Sequence, residues 1–403
     1  MAKLNKLSKN KISEFQSDMH EPMRLCRWSG FFPVDGLYES SISKIRCSAS
    51  YLYLVFHVCS VLGQIVTTAL SLISFILTNN LRTSSNFIFY STGLMTAVLL
   101  IKLSKNWTKL IKKTLKVEAI LIGVRRQHNT SIYKYIAYIV MVLAVVEHIL
   151  SIMSKLYLAM DELNKSKMGE KVIERYFKTT MPFIFNTTSY SLWKAVPFVI
   201  ANLQATFLWN VTDVMIMCIS LYLTSYLQDL NKVIYDNETS KSVPWEELRK
   251  LYSHLVALVK EIDSRFCYLV LLSFFTNLFF ISLQLFNILI ALHLTYYIYS
   301  FVFLMTRASV MCLLAANVHK AAQEPLFVVG YVPASEYTLE VQRFIRQIRY
   351  TTTALSGVYF YVTRSTLLKV VGTLLTYELV LLQFNLDLHG TTLLRNVTWK
   401  ETE

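Results

Sequence analysis

Apolar segments long enough to cross a lipid bilayer recur along this 403-residue chain. A membrane-spanning helix needs about twenty predominantly apolar residues. Such segments lie at Tyr51–Leu77, Phe87–Leu103, Tyr135–Met160, Ala195–Leu227, Cys267–Ala316 and Leu367–Asn385. The fifth is about twice the length that one span needs, so we expect it to fold back near His293–Tyr297 and to form spans five and six. The pattern therefore predicts an all-α membrane protein with seven transmembrane helices.

Composition and charge favour the membrane and indicate the orientation of the chain. The chain is 54% hydrophobic and 16% charged, whereas soluble domains carry about 25% charged residues. The net charge of +14 is spread over the links between spans, which argues against nucleic acid as a partner. Of the 40 lysines and arginines, 30 lie on the side of the N-terminus and 10 on the other side. The positive-inside rule then predicts a cytosolic N-terminus and an extracellular C-terminus, the reverse of a G-protein-coupled receptor.

Two predicted cytosolic helices carry an apolar face. Before span five, apolar side chains recur at steps of three and four, at Trp245, Leu248, Tyr252, Leu255, Val259, Ile262 and Phe266. This spacing is typical of a coiled-coil seam. In the segment Glu336–Thr353 the apolar face comprises Val341, Phe344, Ile345 and Ile348. We expect the first seam either to pair with another subunit or to pack on the second helix; the alternative is that both helices lie on the membrane surface.

Polar residues recur at helical steps along the last apolar segment. From Thr366, steps of three and four reach Lys369, Thr373, Thr376, Val380, Gln383 and Asp387. Polar groups inside a bilayer are costly unless they face protein or water, so this stripe is typical of a helix that lines a pore. The alternative is a span whose threonines bond back to their own helix.

The same segment contains Thr376 and Tyr377, five further residues, and then Gln383 and Phe384. This TY-x5-QF pattern resembles the signature in the last span of insect gustatory receptors. The string TYELVLLQF resembles the sugar-receptor clade of that family, in which a glutamate follows the tyrosine. The string FFPVDG, from Phe31 to Gly36, adds a resemblance near the start of the chain.

The resemblance implies a plasma-membrane ion channel of the odorant and gustatory receptor superfamily. Four subunits, identical or related, would surround a central pore lined by span seven and would be held together by cytosolic anchor helices within the membrane lipids. A sugar would be the small-molecule ligand, and cations would permeate. The pore and gate residues expected from the stripe and the motif are Thr373, Thr376, Val380, Gln383, Phe384 and Asp387.

These expectations divide the chain into seven segments. They are a cytosolic N-terminal segment (1–50), spans one to four with the ligand-binding part (51–227), a cytosolic linker and helix (228–266), spans five and six (267–318), a cytosolic anchor-helix region (319–362), the pore-lining span seven (363–387) and an extracellular tail (388–403).

Signatures of catalysis and cofactor binding are absent from the sequence. No two of the eight histidines lie within five positions of each other, and neither a P-loop nor a glycine-rich dinucleotide turn occurs. We therefore expect no enzyme activity, no cofactor and no bound metal.

Polar residues within the predicted spans are the candidates for ligand binding. Sugar sites combine a flat aromatic surface with groups that bond hydroxyls, because every buried hydroxyl needs a partner. In span four, Asn202, Thr206, Trp209 and Asp213 step along one face and supply that combination. The other candidates are Glu147, His148, Ser151, Gln284, Asn287, Tyr296, Tyr297 and, at the rim, Trp193. The alternative is structural pairing, of Asp213 with Arg307 and of Glu147 with His148.

Two other functions are alternatives to a sugar-gated channel. A more apolar pocket would favour a bitter-compound or odorant-type ligand-gated channel. A membrane transporter would need substrate access from both faces of the membrane.

Overall fold

The computed structural model describes residues 13–36, 50–78, 80–125, 129–166, 171–186, 188–238, 243–290, 294–370, 372 and 376. Within these ranges the regular structure is mainly helical, and an isolated antiparallel bridge joins Ser356 to Tyr361. The predicted all-α class is confirmed. The helices are α1 (Glu14–Asp18), α2 (His20–Trp28), α3 (Tyr51–Thr78), α4 (Leu81–Ile120), α5 (Ser131–Ser166), α6 (Val172–Thr180), α7 (Pro182–Phe185), α8 (Leu192–Glu238), α9 (Trp245–Ile290), α10 (Leu294–Gln323), α11 (Pro325–Gly330) and α12 (Leu339–Tyr350), with a 3₁₀ turn at Ala334–Glu336.

Six of these helices, α3, α4, α5, α8, α9 and α10, are long and apolar enough to cross a membrane. They correspond to the first six predicted spans. Helix α9 ends at Ile290 and α10 begins at Leu294, so Tyr296 and Tyr297, which were expected at the reversal, belong to α10. A further helix begins at residue 364. Most of the predicted span seven lies outside the described residues.

Helix α8 is the centre of the bundle. It packs against α3, α4, α5, α9 and α10, and 78% of its most apolar stretch is buried, compared with 17% for α5. A helix that is apolar all round requires burial on all sides. Polar groups placed on α8 are therefore enclosed by protein.

Local sequence explains where several helices begin. Asn80 caps α4, because its side chain accepts a hydrogen bond from the backbone of Thr83 and the Thr83 hydroxyl accepts one from Asn80 N. Thr338 caps α12, because its side-chain oxygen accepts a hydrogen bond from the backbone N–H of Val341, and the helix therefore begins at Leu339 instead of the predicted Glu336. It ends at Tyr350 instead of the predicted Thr353.

The predicted seam at the start of α9 packs inside the subunit. All seven of its side chains are at most 6% exposed. The Tyr252 ring lies 5.3 Å from that of Phe344 on α12, and Arg249 Nε lies 2.7 Å from Glu340 Oε2. Hydrogen bonding from Arg249 lowers the pKa of the Glu340 carboxyl, so the pair stays ionised near neutral pH. Packing on the second helix is thus confirmed, and this seam retains no free face for another subunit.

The segment before span one is docked into the end of the bundle. Phe15, Phe31 and Phe32 are fully buried. The Glu118 carboxylate on α4 accepts hydrogen bonds from the backbone N–H groups at the start of α1, at 3.1 Å from Glu14 and 2.9 Å from Phe15. It also accepts one from the Tyr222 hydroxyl on α8, at 2.9 Å. One carboxylate therefore joins α1, α4 and α8.

We expect Glu118→Ala to lower the stability of the folded chain by about 2–4 kcal/mol, because it leaves several buried donors without an acceptor. Glu118→Gln should cost less, since its amide oxygen still accepts. The exposed neighbour Lys116→Gln serves as the control. Thermal melting of the detergent-solubilised proteins, followed by size-exclusion chromatography, ranks the stabilities of the variants. Equal melting of Glu118→Ala and wild type would contradict a stabilising role of Glu118.

Candidate functional site

A buried ion pair links α8 to α10 within the spans. Arg307 Nε lies 2.8 Å from Asp213 Oδ2, and the two side chains are 1% and 0% exposed. From α9, Ser273 Oγ donates to Asp213 Oδ1 and Asn277 Nδ2 donates to Asp213 Oδ2 at 3.0 Å. The structural pairing of Asp213 with Arg307 is thus confirmed. A buried charge needs such compensation because isolated burial is costly.

Trp209 and Asn210 complete this network from α8. The Trp209 indole N–H donates to Asn277 Oδ1 at 3.0 Å, and the Arg307 guanidinium lies 4.6 Å from the Trp209 ring centroid. Arg307 also donates to the Asn210 side chain and, at 3.0 Å, to Asn277 Oδ1. We call Trp209, Asn210, Asp213, Ser273, Asn277 and Arg307 the ion-pair network.

A small cavity borders this network between α4, α8 and α9. It is lined by Phe89, Thr92, Gly93, Thr96, Ala205, Trp209, Thr212, Leu272, Ser273 and Thr276. Its volume of about 10 Å³ is room for roughly one water molecule. The wall is tight where a Cβ on Gly93 would lie 3.2 Å from the Ala205 methyl. We call this space the threonine-lined cavity.

The hydroxyls of the lining threonines keep acceptor capacity. Thr96, Thr212 and Thr276 each donate to a carbonyl of their own helix at 2.8 Å. A hydroxyl has one donor hydrogen and two acceptor lone pairs, so lone pairs remain for a donor in the cavity. A molecule with several hydroxyl groups can supply such donors.

Of the predicted ligand residues, Trp209 alone is among the residues that line this cavity. The lining threonines were not predicted, because a threonine in a span commonly bonds to its own helix and stands out little. A signal was nonetheless present. Thr92 and Thr96 stand four residues apart, and Ala205, Trp209 and Thr212 follow steps of four and three.

Four other predicted residues meet in a second polar group. The Glu147 carboxylate accepts hydrogen bonds from Tyr296 at 3.2 Å and from Ser300 at 2.9 Å. Gln284 donates to Ser300 at 3.0 Å, and Ser151 bonds Tyr296. Among the described residues, Gln284 Oε1 is buried without a hydrogen-bond partner. We call these five residues the outer polar cluster, because Gln284, Tyr296 and Ser300 lie near the ends of α9 and α10 that meet at the reversal.

The remaining predicted ligand residues lie elsewhere. Asn202 donates to the Tyr90 hydroxyl at 3.0 Å, and Thr206 donates to the Asn202 carbonyl at 3.0 Å. Trp193 is 75% exposed at the start of α8. His148 and Asn287 are half-buried, as is Tyr297, whose ring lies 5.1 Å from that of Tyr296. The predicted face of span four therefore does not form one site, because Asn202, Thr206 and Trp209 each contact different neighbours.

The predicted pore residues are largely beyond the described part of the chain. Thr376 is exposed and donates to the Gly372 carbonyl at 2.9 Å. Thr373, Val380, Gln383, Phe384 and Asp387, together with Tyr377 of the motif, lie outside the described residues, so their roles stay predictions.

Comparison with known proteins identifies the family. A profile of the trehalose receptor family matches residues 2–392. The chain is 30% identical over 320 residues to the Drosophila melanogaster gustatory receptor 5a for trehalose, covering 76% of this chain and 71% of the relative. It is 29% identical over 407 residues to the Drosophila melanogaster gustatory receptor for sugar taste 64f, covering 95% and 85%.

The fold has a counterpart among solved structures. The olfactory receptor OR5 from Machilis hrabei in complex with eugenol superposes with a TM-score of 0.63, at 16% identity, over 90% of this chain and 97% of that chain. At this identity the match shows the fold alone. Because the family profile spans nearly the whole chain, this multi-pass protein of the plasma membrane belongs to the trehalose receptor family, a family of insect gustatory receptors and not of enzymes.

Proposed function

We propose that this chain is a subunit of a sugar-gated, non-selective cation channel, in which four subunits surround a pore lined by span seven. The observation that carries the proposal is the threonine-lined cavity against Trp209. The relatives named for trehalose and for sugar taste support a sugar as ligand. The solved receptor of the same fold supports the shared architecture.

The chemistry of the cavity suits a sugar. The Trp209 and Phe89 side chains provide flat apolar surface, against which the C–H face of a pyranose ring packs. The threonine oxygens accept hydrogen bonds from sugar hydroxyls, which need partners once they leave water. The charges of Asp213 and Arg307 beside the cavity neutralise each other, which favours an uncharged ligand.

The size of the cavity links binding to conformational change. Ligand sites commonly enclose about 300–1,000 Å³, far more than the cavity provides in this conformation. A sugar in this place must therefore separate α4, α8 and α9. A ligand shifts a conformational equilibrium only by its difference in affinity for the two states, and a site that must widen supplies such a difference.

The ion-pair network would carry this change to α9 and α10. Ser273 and Trp209 both line the cavity and bond members of the network, so widening the cavity strains these bonds. Closer to the start of α9, the Asp263 carboxylate accepts hydrogen bonds from the Ser356 backbone at 2.6 Å and from its hydroxyl at 2.7 Å. The helix that starts span seven follows at residue 364. Movement of α9 would therefore reach the base of the pore helix.

The proposal predicts a rapid inward current when cells that express this chain are perfused with mono- and disaccharides. Gln383→Ala should block or reshape that current, because Gln383 is proposed to contact permeating cations. Whole-cell recording with confirmed surface expression makes the measurement. Sugar uptake without current would identify a transporter instead, and current evoked by bitter compounds or odorants but not by sugars would identify the alternative type of channel.

Thr212→Val should raise the half-activating sugar concentration about fivefold, the loss expected for one hydrogen bond of about 1 kcal/mol. Thr206→Val is a matched control on the same helix, since its hydroxyl also bonds its own backbone but does not line the cavity. Dose–response curves for the same saccharide compare the two variants. Equal shifts in both would argue against a sugar in the threonine-lined cavity.

Asp213→Asn and Arg307→Gln should each destabilise the protein by roughly 3–5 kcal/mol, because each leaves one buried charge without its partner. The double variant should be clearly more stable than the sum of the two losses implies. Thermal melting of all four proteins provides the double-mutant cycle, and sugar-evoked current tests whether the double variant still gates. Strictly additive losses would show that the pair is not coupled.

A further inference from the structure

One face of α4 changes abruptly from apolar residues to lysine. The outward-facing positions Met95 and Val98 are 58% and 55% exposed. Continuing along the same face at helical steps, every exposed position from 102 to 116 is a lysine: Lys102, Lys105, Lys109, Lys112, Lys113 and Lys116. The opposite face holds buried residues such as Trp107 and Leu110. We call these six residues the lysine stripe.

The change of chemistry marks the level of the bilayer surface. Lipid-facing positions are apolar within the hydrocarbon core, and lysine and tyrosine are enriched at its edge. Tyr268 on the neighbouring helix α9 is 52% exposed, and Lys102 Nζ lies 6.0 Å from its ring centroid. An aromatic side chain and the first lysine thus lie together where the apolar face ends. The stripe begins at this boundary and continues away from the membrane.

The lysine stripe concentrates positive charge on one helix face. Folded proteins usually intersperse both signs of charge on their surfaces. Within the described residues, the carboxylate seen against the stripe is that of Glu261, 2.7 Å from Lys113 Nζ. A row of exposed cations with one acidic neighbour attracts anions, and the nearest anions in a membrane are lipid headgroups.

We infer that the membrane-proximal part of the lysine stripe binds the phosphate-bearing headgroups of anionic phospholipids in the cytosolic leaflet. The positive-inside rule places this end of the helices in the cytosol, where those lipids are found. The helical rise of 1.5 Å per residue puts Lys105 and Lys109 about 5 and 11 Å below Lys102, and Lys112 and Lys116 about 15 and 21 Å below it. Since the Debye length is about 8 Å in the cell, the first pair interacts with the headgroups more strongly than the second pair, which lies well beyond that distance.

The test uses the full-length protein in uncharged detergent and a fluorescent phosphatidylinositol 4,5-bisphosphate, with fluorescent phosphatidylcholine as the neutral lipid. Binding is followed by fluorescence anisotropy. We expect Lys105→Gln with Lys109→Gln to weaken binding of the anionic lipid about tenfold, as neighbouring lysines each contribute severalfold. Lys112→Gln with Lys116→Gln removes the same charge from the same helix face and should weaken it less than threefold. Lys105→Arg with Lys109→Arg should retain binding.

Three results would overturn the inference. Equal affinity for the anionic and the neutral lipid would show that no headgroup site exists. Equal losses in the two glutamine pairs would show a general effect of charge without a site at the bilayer surface. Soluble inositol trisphosphate that binds as tightly as the lipid, and is weakened equally by both pairs, would identify a soluble polyanion as the ligand. Monodisperse elution of each variant in size-exclusion chromatography confirms that it is folded.

Discussion

Burying Asp213 and Arg307 inside an apolar bundle constrains how α8, α9 and α10 pack. Neither charge is stable there without the other, and Ser273, Asn277 and Asn210 provide further hydrogen bonds to the pair. Apolar helices in lipid slide and rotate against each other at little cost, because lipid tails are as apolar as the side chains. A hydrogen-bonded ion pair has few acceptable geometries. It therefore defines how the three helices are rotated about their axes. That rotation determines the shape of the cavity beside the ion pair.

The length and apolar composition of the segments were sufficient to predict most of the architecture. A span is recognised by its length and apolar composition, which do not depend on its neighbours, and six spans were located in this way. The seam from Trp245 to Phe266 was also predicted correctly, but the sequence did not determine whether it packs on another subunit, on the second helix or on the membrane surface. Spacing shows which face is buried, whereas Phe344 and Glu340 on α12, about ninety residues away, determine what covers it.

The candidate site was predictable only in part, because helix rotation is not visible in a sequence. Asn202 and Trp209 share a face by their spacing, yet Asn202 bonds Tyr90 while Trp209 joins the ion-pair network. A helix surrounded on all sides by protein presents each turn to a different neighbour. The lining threonines were not predictable for a second reason. Their function depends on the empty space beside them, and space between helices is a property of packing.

The docking of residues 13–36 has a consequence for biosynthesis. This segment leaves the ribosome before the groups that receive it, Glu118 and Tyr222, because these belong to spans two and four. Until those spans are made, Phe15 lacks its ring contacts with Trp107 and Tyr222, and Phe32 lacks its contact with Trp107. This apolar segment must therefore be kept from aggregating until span four, which carries Tyr222, has been synthesised. Docking of the N-terminal segment is therefore a late step in the folding of the receptor.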